Sequence, residues 1–240
     1  MRMTPSIVPA LAASPKSSLR RLAGLVVGLL LPILSLGVLG GCEQSMITRS
    51  NEAASVLRDF QLSDTKIPDS AIESAQAIAI LRESEAGVVV GAGGGKGVML
   101  QRTAKGWSAP IALDSSTGSF GAQIGGKGRD VVMLFRSATE IDKVLREDGY
   151  SLADASAAAG PMTGAAGEND NPVQTYARIA GLFAGARIGG VKFTINDKVN
   201  NETYGLRWTA EEILDGKVER PLGTADLYRL LGPTSGTSTR

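Results

Sequence analysis

The sequence of 240 residues contains no histidine and a single cysteine, Cys42. The absence of histidine excludes Ser-His-Asp and Cys-His catalysis, zinc sites that use imidazole, and the HExxH metalloprotease motif. One cysteine cannot form a disulfide within the chain, and without a thiolate cluster any metal site would consist of oxygen ligands. The GxSxG nucleophile elbow is also missing. We therefore expect a protein that is not an enzyme and that carries neither a cofactor nor a metal.

Basic residues are scarce in the part of the chain that follows Cys42. The whole chain has 25 basic and 24 acidic residues and a net charge of +1, but four basic residues and no acidic residue precede Cys42. The rest of the chain therefore has 21 basic and 24 acidic residues, which is a net charge of −3. A domain this close to neutral does not attract polyanions in general, so DNA and RNA are not expected partners.

The segment before Cys42 has the features of an export signal. Three basic residues precede an apolar run over residues 22–39, and the run ends in Leu39-Gly40-Gly41-Cys42. A basic region, an apolar region and small residues before a cleavage site define a secretory signal, and Leu-Gly-Gly-Cys resembles the bacterial lipobox. That resemblance implies that the Cys42 thiol receives a diacylglyceryl group and that residues 1–41 are removed as a signal peptide.

The alternative for this segment is a transmembrane helix that stays uncleaved. About 20 apolar residues are needed to span a bilayer. The run over residues 22–39 is slightly shorter and is interrupted by Gly24, Gly28, Pro32 and Gly37. Because the only cysteine stands where a lipobox requires it, the lipoprotein interpretation is favoured.

The residue after the cysteine bears on the destination of the protein. The usual inner-membrane retention signal has Asp at this position, so Glu43 favours sorting to the outer membrane, facing the periplasm. Arg20-Arg21 matches a twin-arginine signal poorly, and export through the Sec pathway is favoured instead. We expect a lipid-anchored protein of the cell envelope, held by two or three acyl chains.

Hydrophobic periodicity predicts one clear amphipathic helix and several short ones. Ala53, Val56, Leu57 and Phe60 recur at helical spacing within residues 44–61, which is typical of a helix with one apolar face. Two further predicted helices follow capping boxes and begin at Ser70 and Ser137. Two more short helices are predicted over residues 209–214 and 224–231, the latter closed by Gly232-Pro233.

Short apolar segments separated by glycine predict β structure in the centre of the chain. Regular alternation of strands and helices is absent, which argues against a doubly wound nucleotide-binding fold. The expected fold class is α+β, with a twisted, mostly antiparallel sheet that curls towards a barrel and is flanked by short helices. The predicted strands cover residues 87–92, 97–102, 107–113, 118–125, 130–136, 153–160, 173–180 and 185–195.

Two glycine-rich segments invite comparison with phosphate-binding loops. Residues 91–97 match neither GxGxxG nor GxxxxGK[ST], and residues 121–128 have a glycine where Ser or Thr would hold magnesium. Both segments are predicted to be hairpin turns. If the turns gather at one end of the sheet, Lys96, Lys127 and Arg129 form a basic rim that could meet lipid phosphates. The alternative, given equal weight, is that these are ordinary solvated side chains of turns.

Several stretches resemble one known family, and they occur in the order of that family. SFGAQIG at residues 119–125 and DVVMLF at residues 130–135 resemble the centre of the SYLF domain. ADASAAAGP at residues 153–161 resembles its segment of small residues. YAR at residues 176–178 and GLFAG at residues 181–185 resemble its C-terminal signature.

The likeness covers about residues 50–205 and implies phospholipid binding without enzymatic activity. Eukaryotic members of the SYLF family bind phosphoinositides, partly through a basic N-terminal amphipathic helix, and some bind actin. The implied contacts on the matching helix are Arg49, Leu57, Arg58 and Phe60, which would act together with the basic rim. The expected partner is a phospholipid membrane, with anionic lipids favoured.

The resulting organisation is a signal peptide over residues 1–41, a SYLF-like domain over residues 42–232 and a disordered tail over residues 233–240. The alternative function is an envelope scaffold. Such a protein would bind other proteins or peptidoglycan and would touch lipid only through its acyl anchor.

Overall fold

The computed structural model describes residues 43–63, 66–147, 149–151, 172–180 and 191–232. Only the backbone is described for residues 85–92, 117–127, 179–180 and 191. The segment 1–41, Cys42, the predicted strand 153–160 and the tail 233–240 lie outside the described residues. The predicted domain boundaries therefore stay predictions.

The described residues form six helices and six strands. The helices are α1 (Met46–Gln61), α2 (Asp69–Ser74), α3 (Ala138–Arg146), α4 (Asp197–Tyr204), α5 (Ala210–Leu214) and α6 (Ala225–Leu231). The strands are β1 (Ala77–Thr103), β2 (Gly106–Trp107), β3 (Ile111–Phe135), β4 (Tyr150–Ser151), β5 (Val173–Ala180) and β6 (Val191–Ile195).

All described strand pairings are antiparallel and belong to one sheet. The strand order is β2-β1-β3-β6-β4, and β5 also pairs with β3. The long strands β1 and β3 pair from Ala77 opposite Phe135 to Met99 opposite Ile111, with one register shift between Val88 and Val90. The predicted α+β class, with a curled and mostly antiparallel sheet flanked by short helices, is confirmed.

The glycine-rich segments are not the hairpin turns that were predicted. Both lie inside long strands, 91–97 in β1 and 121–128 in β3. In β1 the glycines permit one part of the strand to cross another part of the same strand. A Cβ atom at Gly95 would lie 2.4 Å from the carbonyl oxygen of Arg82, and one at Gly97 would lie 2.1 Å from that of Ile80. Glycine is therefore needed here for a close approach of two backbones.

The sheet is covered on both faces, and the side chains of its strands alternate between two cores. Ile78 and Ile80 face the core that contains the apolar side of α1, together with residues of α2, α4 and α6. Ala79 and Leu81 face the opposite core, to which α3 and α5 contribute. Residues 131–135 are buried throughout, as the continuous apolar run predicted.

The helix boundaries show which local signals operate. The helix α1 was predicted nearly to its ends, and the Ser45 hydroxyl accepts a hydrogen bond from the Thr48 amide at its N-terminus. The predicted caps at Ser70 and Ser137 do not form, because α2 already begins at Asp69 and Ser137 makes no side-chain cap. The helix α4 was not predicted. It begins with a hydrogen bond from the Val199 amide to the side chain of its N-cap, Asn196.

Candidate functional site

A buried arginine organises the end of the domain at which the described chain begins. Arg49 projects from the first turn of α1 and is 1% exposed. Its Nη1 donates to the Leu113 carbonyl oxygen at 2.6 Å and lies 2.8 Å from Asp114 Oδ1. Its Nη2 donates to Glu43 Oε1 at 2.8 Å, and its Nε donates to the Gln44 carbonyl oxygen at 3.1 Å. All three nitrogens of this guanidinium therefore tie α1 to its own N-terminal segment or to the first residues of β3.

Glu43 is held by further groups around the same arginine. Asn196 Nδ2 donates to Asp114 Oδ2 at 2.6 Å and to Glu43 Oε1 at 3.3 Å. The Nζ atoms of Lys96 and Lys198 each lie 3.9 Å from a Glu43 carboxylate oxygen. We call this set the Glu43 clasp: Glu43, Arg49, Lys96, Asp114, Asn196 and Lys198. The clasp fastens the residue that follows Cys42 to the folded domain, with no linker between them.

An open cavity of about 620 Å³ adjoins the clasp. Its wall carries charges of both signs, and three wall oxygens, Gln44 Oε1, Glu83 Oε1 and Ser115 Oγ, have neither a hydrogen-bond partner nor an ion-pair partner within the described part of the chain. Such a lining suits a polar group with both positive and negative charge better than an apolar ligand. The described lining residues are Gln44, Glu52, Arg82, Glu83, Ser84, Gly94, Gly95, Lys96, Asp114 and Ser115.

A second ionic layer crosses the sheet below the far end of α1. Arg82, Asp130 and Arg178 stand in register on the neighbouring strands β1, β3 and β5. Asp130 accepts from Arg82 Nε at 2.8 Å and from Arg178 Nη2 at 3.0 Å. Asp59 of α1 lies 2.9 Å and 3.2 Å from the same two arginines. The hydrogen bond to Asp130 raises the pKa of Arg82 above its usual value, against the opposing effect of burial.

The neighbouring register position carries a buried ion pair. Glu83 and Arg129 face each other on β1 and β3. Arg129 Nε donates to Glu83 Oε2 at 2.7 Å, and the two side chains are 4% and 2% exposed. A charge this deeply buried is retained only when it is paired, so this pair is part of the framework of the sheet.

Comparison with known proteins places this architecture. A family model described as "Ysc84: Las17-binding protein actin regulator" matches residues 116–233. The chain belongs to the Ysc84, or SYLF, domain family. The sequence resemblance is thereby confirmed. No solved structure matches the chain.

The curated relatives are eukaryotic and longer than this chain. "SH3 domain-containing YSC84-like protein 1" of Xenopus laevis is 30% identical over 200 residues, and the match covers 77% of this chain and 59% of that protein. "SH3 domain-containing protein PJ696.02" of Schizosaccharomyces pombe is 30% identical over 69% of this chain and 40% of its own. "LAS seventeen-binding protein 3" of Saccharomyces cerevisiae is 26% identical over 82% of this chain and 46% of its own. The chain thus spans about half the length of these relatives, whose names describe binding proteins and not enzymes.

The four lipid contacts predicted on α1 lie in different environments, some buried and one exposed. Leu57 and Phe60 are 2% and 0% exposed and pack into the core under the helix. Arg49 is buried in the clasp, whereas Arg58 is exposed. The apolar face of α1 is therefore committed to the sheet, and only Arg58 of these four predicted contacts is available at the surface.

The predicted basic rim does not form as described. Lys96 and Lys127 lie within strands, Lys96 beside Glu43 and Lys127 opposite Glu85. The side chain of Lys127 lies outside the described residues. Arg129 is buried against Glu83, so it cannot serve as a solvated turn cation. The rim is absent because the glycines lie inside long strands, where those of β1 permit two backbones to cross, and do not form turns.

The clasp brings together residues that sequence reasoning did not connect. Only Arg49 and Lys96 of its members were predicted contacts. Asn196 carried a detectable signal, because an Asn followed by an acidic residue is typical of a helix N-terminus. The pairing of Glu43 with Arg49 joins residues six apart across the start of a helix and left no pattern in the sequence. The part of the chain that the structure describes contains no helix that is long and apolar enough to cross a bilayer.

Proposed function

We propose that this protein is an envelope lipoprotein whose SYLF domain binds phospholipid and has no enzymatic activity. The observation that carries the proposal is the Glu43 clasp. An acylated Cys42 would be joined directly to a residue that Arg49 holds at 2.8 Å. Acylation would therefore place the clasp and the adjoining cavity beside the lipid headgroups and raise their effective concentration there.

Two partly exposed lysines at the anchored end support contact between the domain and lipid headgroups. Lys198 is 66% exposed and Lys96 is 29% exposed at the anchored end. A cation near an anionic leaflet contributes about 1 kcal/mol. The net charge of −3 after Cys42 opposes long-range attraction, so the domain depends on its anchor for recruitment and on local cations for headgroup contact. Anionic phospholipids are the proposed partner, and the outer membrane, facing the periplasm, is the proposed location.

The anchoring step is tested by metabolic labelling with a palmitate analogue. We expect the full-length protein to be labelled and the Cys42→Ser variant to remain unlabelled, because only a thiol can form the thioether. Equal labelling of both proteins would contradict acylation at Cys42. Fractionation of labelled cells then reports inner against outer membrane.

The second candidate function is an envelope scaffold that touches lipid only through its anchor. The description of the family as a Las17-binding actin regulator favours it, and so does the name of the relative "LAS seventeen-binding protein 3". Flotation of residues 43–240 with vesicles separates the two functions, after circular dichroism has confirmed that the fragment folds. Binding to anionic vesicles that weakens as salt rises supports a lipid-binding domain, and no binding to any vesicle supports the scaffold.

The cations to be replaced in that assay follow from the structure. A variant that includes Arg129 would break a buried ion pair and lose stability. The pair Lys96→Gln and Lys198→Gln is the better choice, because both side chains lie at the clasp and are partly exposed. We expect flotation with anionic vesicles to fall several-fold at low salt, while Lys105→Gln, in the exposed β1–β2 turn, should have no effect.

A further inference from the structure

Four large apolar side chains are exposed among the described residues. They are Ile47, Leu62, Leu206 and Leu222, which are 44%, 82%, 88% and 91% exposed. Two of these four belong to one patch. A Cβ atom added at Gly223 would lie 3.4 Å from Ile47 Cγ2, so the turn that carries Leu222 passes close to Ile47. We call Ile47 and Leu222 the anchor-side apolar pair.

The turn that presents Leu222 is held from both sides. Thr224 is buried, and its hydroxyl donates to the Pro221 carbonyl oxygen at 2.7 Å. Arg220 donates to the Trp107 carbonyl oxygen at 2.6 Å and stacks over the Tyr228 ring at 4.1 Å. Gly223 has φ +88, which completes the turn in a conformation that glycine adopts without strain. The leucine is therefore projected into solvent by a constrained turn and not by a loose end.

The apolar pair lies at the end of the domain that the Glu43 clasp marks. Ile47 is five residues from Cys42, a span of at most about 18 Å even for extended chain. Ser45 and Ile47 open α1, and Glu43 before them is bound by Arg49. Lys198, on the same carboxylate, is 66% exposed. Exposed leucine and isoleucine at an end of the domain that also carries an exposed lysine is the composition of a surface in the membrane interface, with apolar groups inserted and ammonium groups at headgroup level.

We propose that the anchor-side apolar pair inserts into the lipid bilayer and sets the orientation of the SYLF domain on the membrane. The occupant of this patch is the interfacial layer of the bilayer in which Cys42 is anchored. This inference rests on the proposed function and adds to it a docking surface and a direction. In this orientation the far end of α1, with Leu62, stays outside the bilayer, at about 22 Å along the helix axis from Ile47.

The test uses the full-length acylated protein reconstituted in vesicles of phosphatidylethanolamine and phosphatidylglycerol. Leu222→Cys, Leu62→Cys and Leu206→Cys are each labelled with an environment-sensitive thiol dye. These are matched positions, since all three leucines are more than 80% exposed. We expect the probe at 222 to shift to the blue and to be quenched roughly threefold more by lipid-attached quenchers than the probe at 62. The probe at 62 should remain accessible to iodide.

The same samples separate failure of this inference from failure of the proposed function. A Cys42 thioether does not react with the dye, so one dye per molecule is expected. Two dyes per molecule would show that Cys42 is a free thiol, and both proposals would fall. One dye, with the probe at 222 as open to iodide as the probe at 62, would overturn the inference alone. Shielding of the probe at 222 from iodide without quenching by lipid would mean that a protein covers the pair, and would also overturn it.

Discussion

The two ends of α1 rest on the sheet through ionic contacts of opposite polarity. At the N-terminal end the helix supplies the cation, Arg49, and the edge of the sheet supplies Asp114. At the C-terminal end the helix supplies the anion, Asp59, and the sheet supplies Arg82 and Arg178. In the first contact Arg49 is fully buried while Asp114 is 41% exposed, and in the second contact all three side chains are about one-third exposed. Only the first lies next to the proposed anchor.

Both contacts run against the helix dipole. A helix N-terminus favours negative charge and its C-terminus favours positive charge, each by about 0.3–1 kcal/mol. Arg49 in the first turn and Asp59 in the last turn therefore gain nothing from the helix itself. Their positions are decided by tertiary partners, and the burial of the arginine in each contact decides how strongly that contact holds the helix.

The largest effect is expected when the buried end is broken. Arg49→Met should lower the free energy of unfolding by about 1.5–3 kcal/mol, because it removes the charge-assisted hydrogen bonds of a buried guanidinium and leaves the Leu113 carbonyl oxygen without its donor, while Asp114 and Glu43 stay partly solvated. Chemical denaturation measures the loss. Arg58→Met on the same helix is the control and should change stability by less than about 0.5 kcal/mol. Equal losses for the two variants would mean that the clasp does not hold the helix.

A smaller effect is expected when only the outer carboxylate of the clasp is neutralised. Glu43→Gln should cost about 1–2 kcal/mol, because one charge-assisted hydrogen bond to Arg49 is weakened while Asp114 remains. It should also loosen the chain at the point of anchoring. Greater mobility of a spin label at residue 45, at unchanged mobility of one at residue 62, would show this. A spin label at 45 that stays as immobile as in the parent would contradict the clasp.

The exposed end should respond less and should depend on salt. Asp59→Asn is expected to cost about 0.5–1 kcal/mol at low ionic strength, because its partners are about one-third exposed. Most of that cost should vanish at about 1 M salt, where the Debye length falls to about 3 Å. Denaturation curves at the two ionic strengths measure it. A cost that does not change with salt would contradict the expectation that solvent and ions screen this contact.

The smallest effect is expected when a surface charge that is distant from both ionic contacts of α1 is removed. Lys105→Gln, in the exposed β1–β2 turn, should leave both stability and flotation unchanged within error. A marked loss of vesicle binding in this variant would move the lipid-contact surface away from the clasp.

Hydrophobic patterns in the sequence predicted the elements that bury one face, such as α1, and those that bury both faces, such as part of β3. The spacing of Ala53, Val56, Leu57 and Phe60 located α1, and the continuous apolar run over 130–136 located the buried part of β3. These patterns work because burial acts on each side chain separately. The strand at 173–180 and the helices near 210–214 and 225–231 were also predicted.

Features that depend on a distant partner were not predictable. A glycine that permits a turn and a glycine that permits a crossing of backbones read alike, so Gly95 and Gly97 were assigned to a hairpin. Arg49 and Arg58 also read alike on one helix, although one is buried and the other is solvated. Nothing in the sequence around Leu222 predicts its role, because that role depends on the position of its turn close to Ile47 in the folded domain.

The most direct test of the account is hydrogen–deuterium exchange at the two ends of α1. The acylated protein in phospholipid vesicles is compared with residues 43–240 in buffer. We expect exchange to slow by roughly tenfold at residues 46–48 and 222–224, where the amides at a helix start and in a turn have no hydrogen bond within the helix. Exchange at residues 58–62 should stay the same. Slowing confined to residues 58–62, or no slowing at either end, would contradict a membrane-facing clasp.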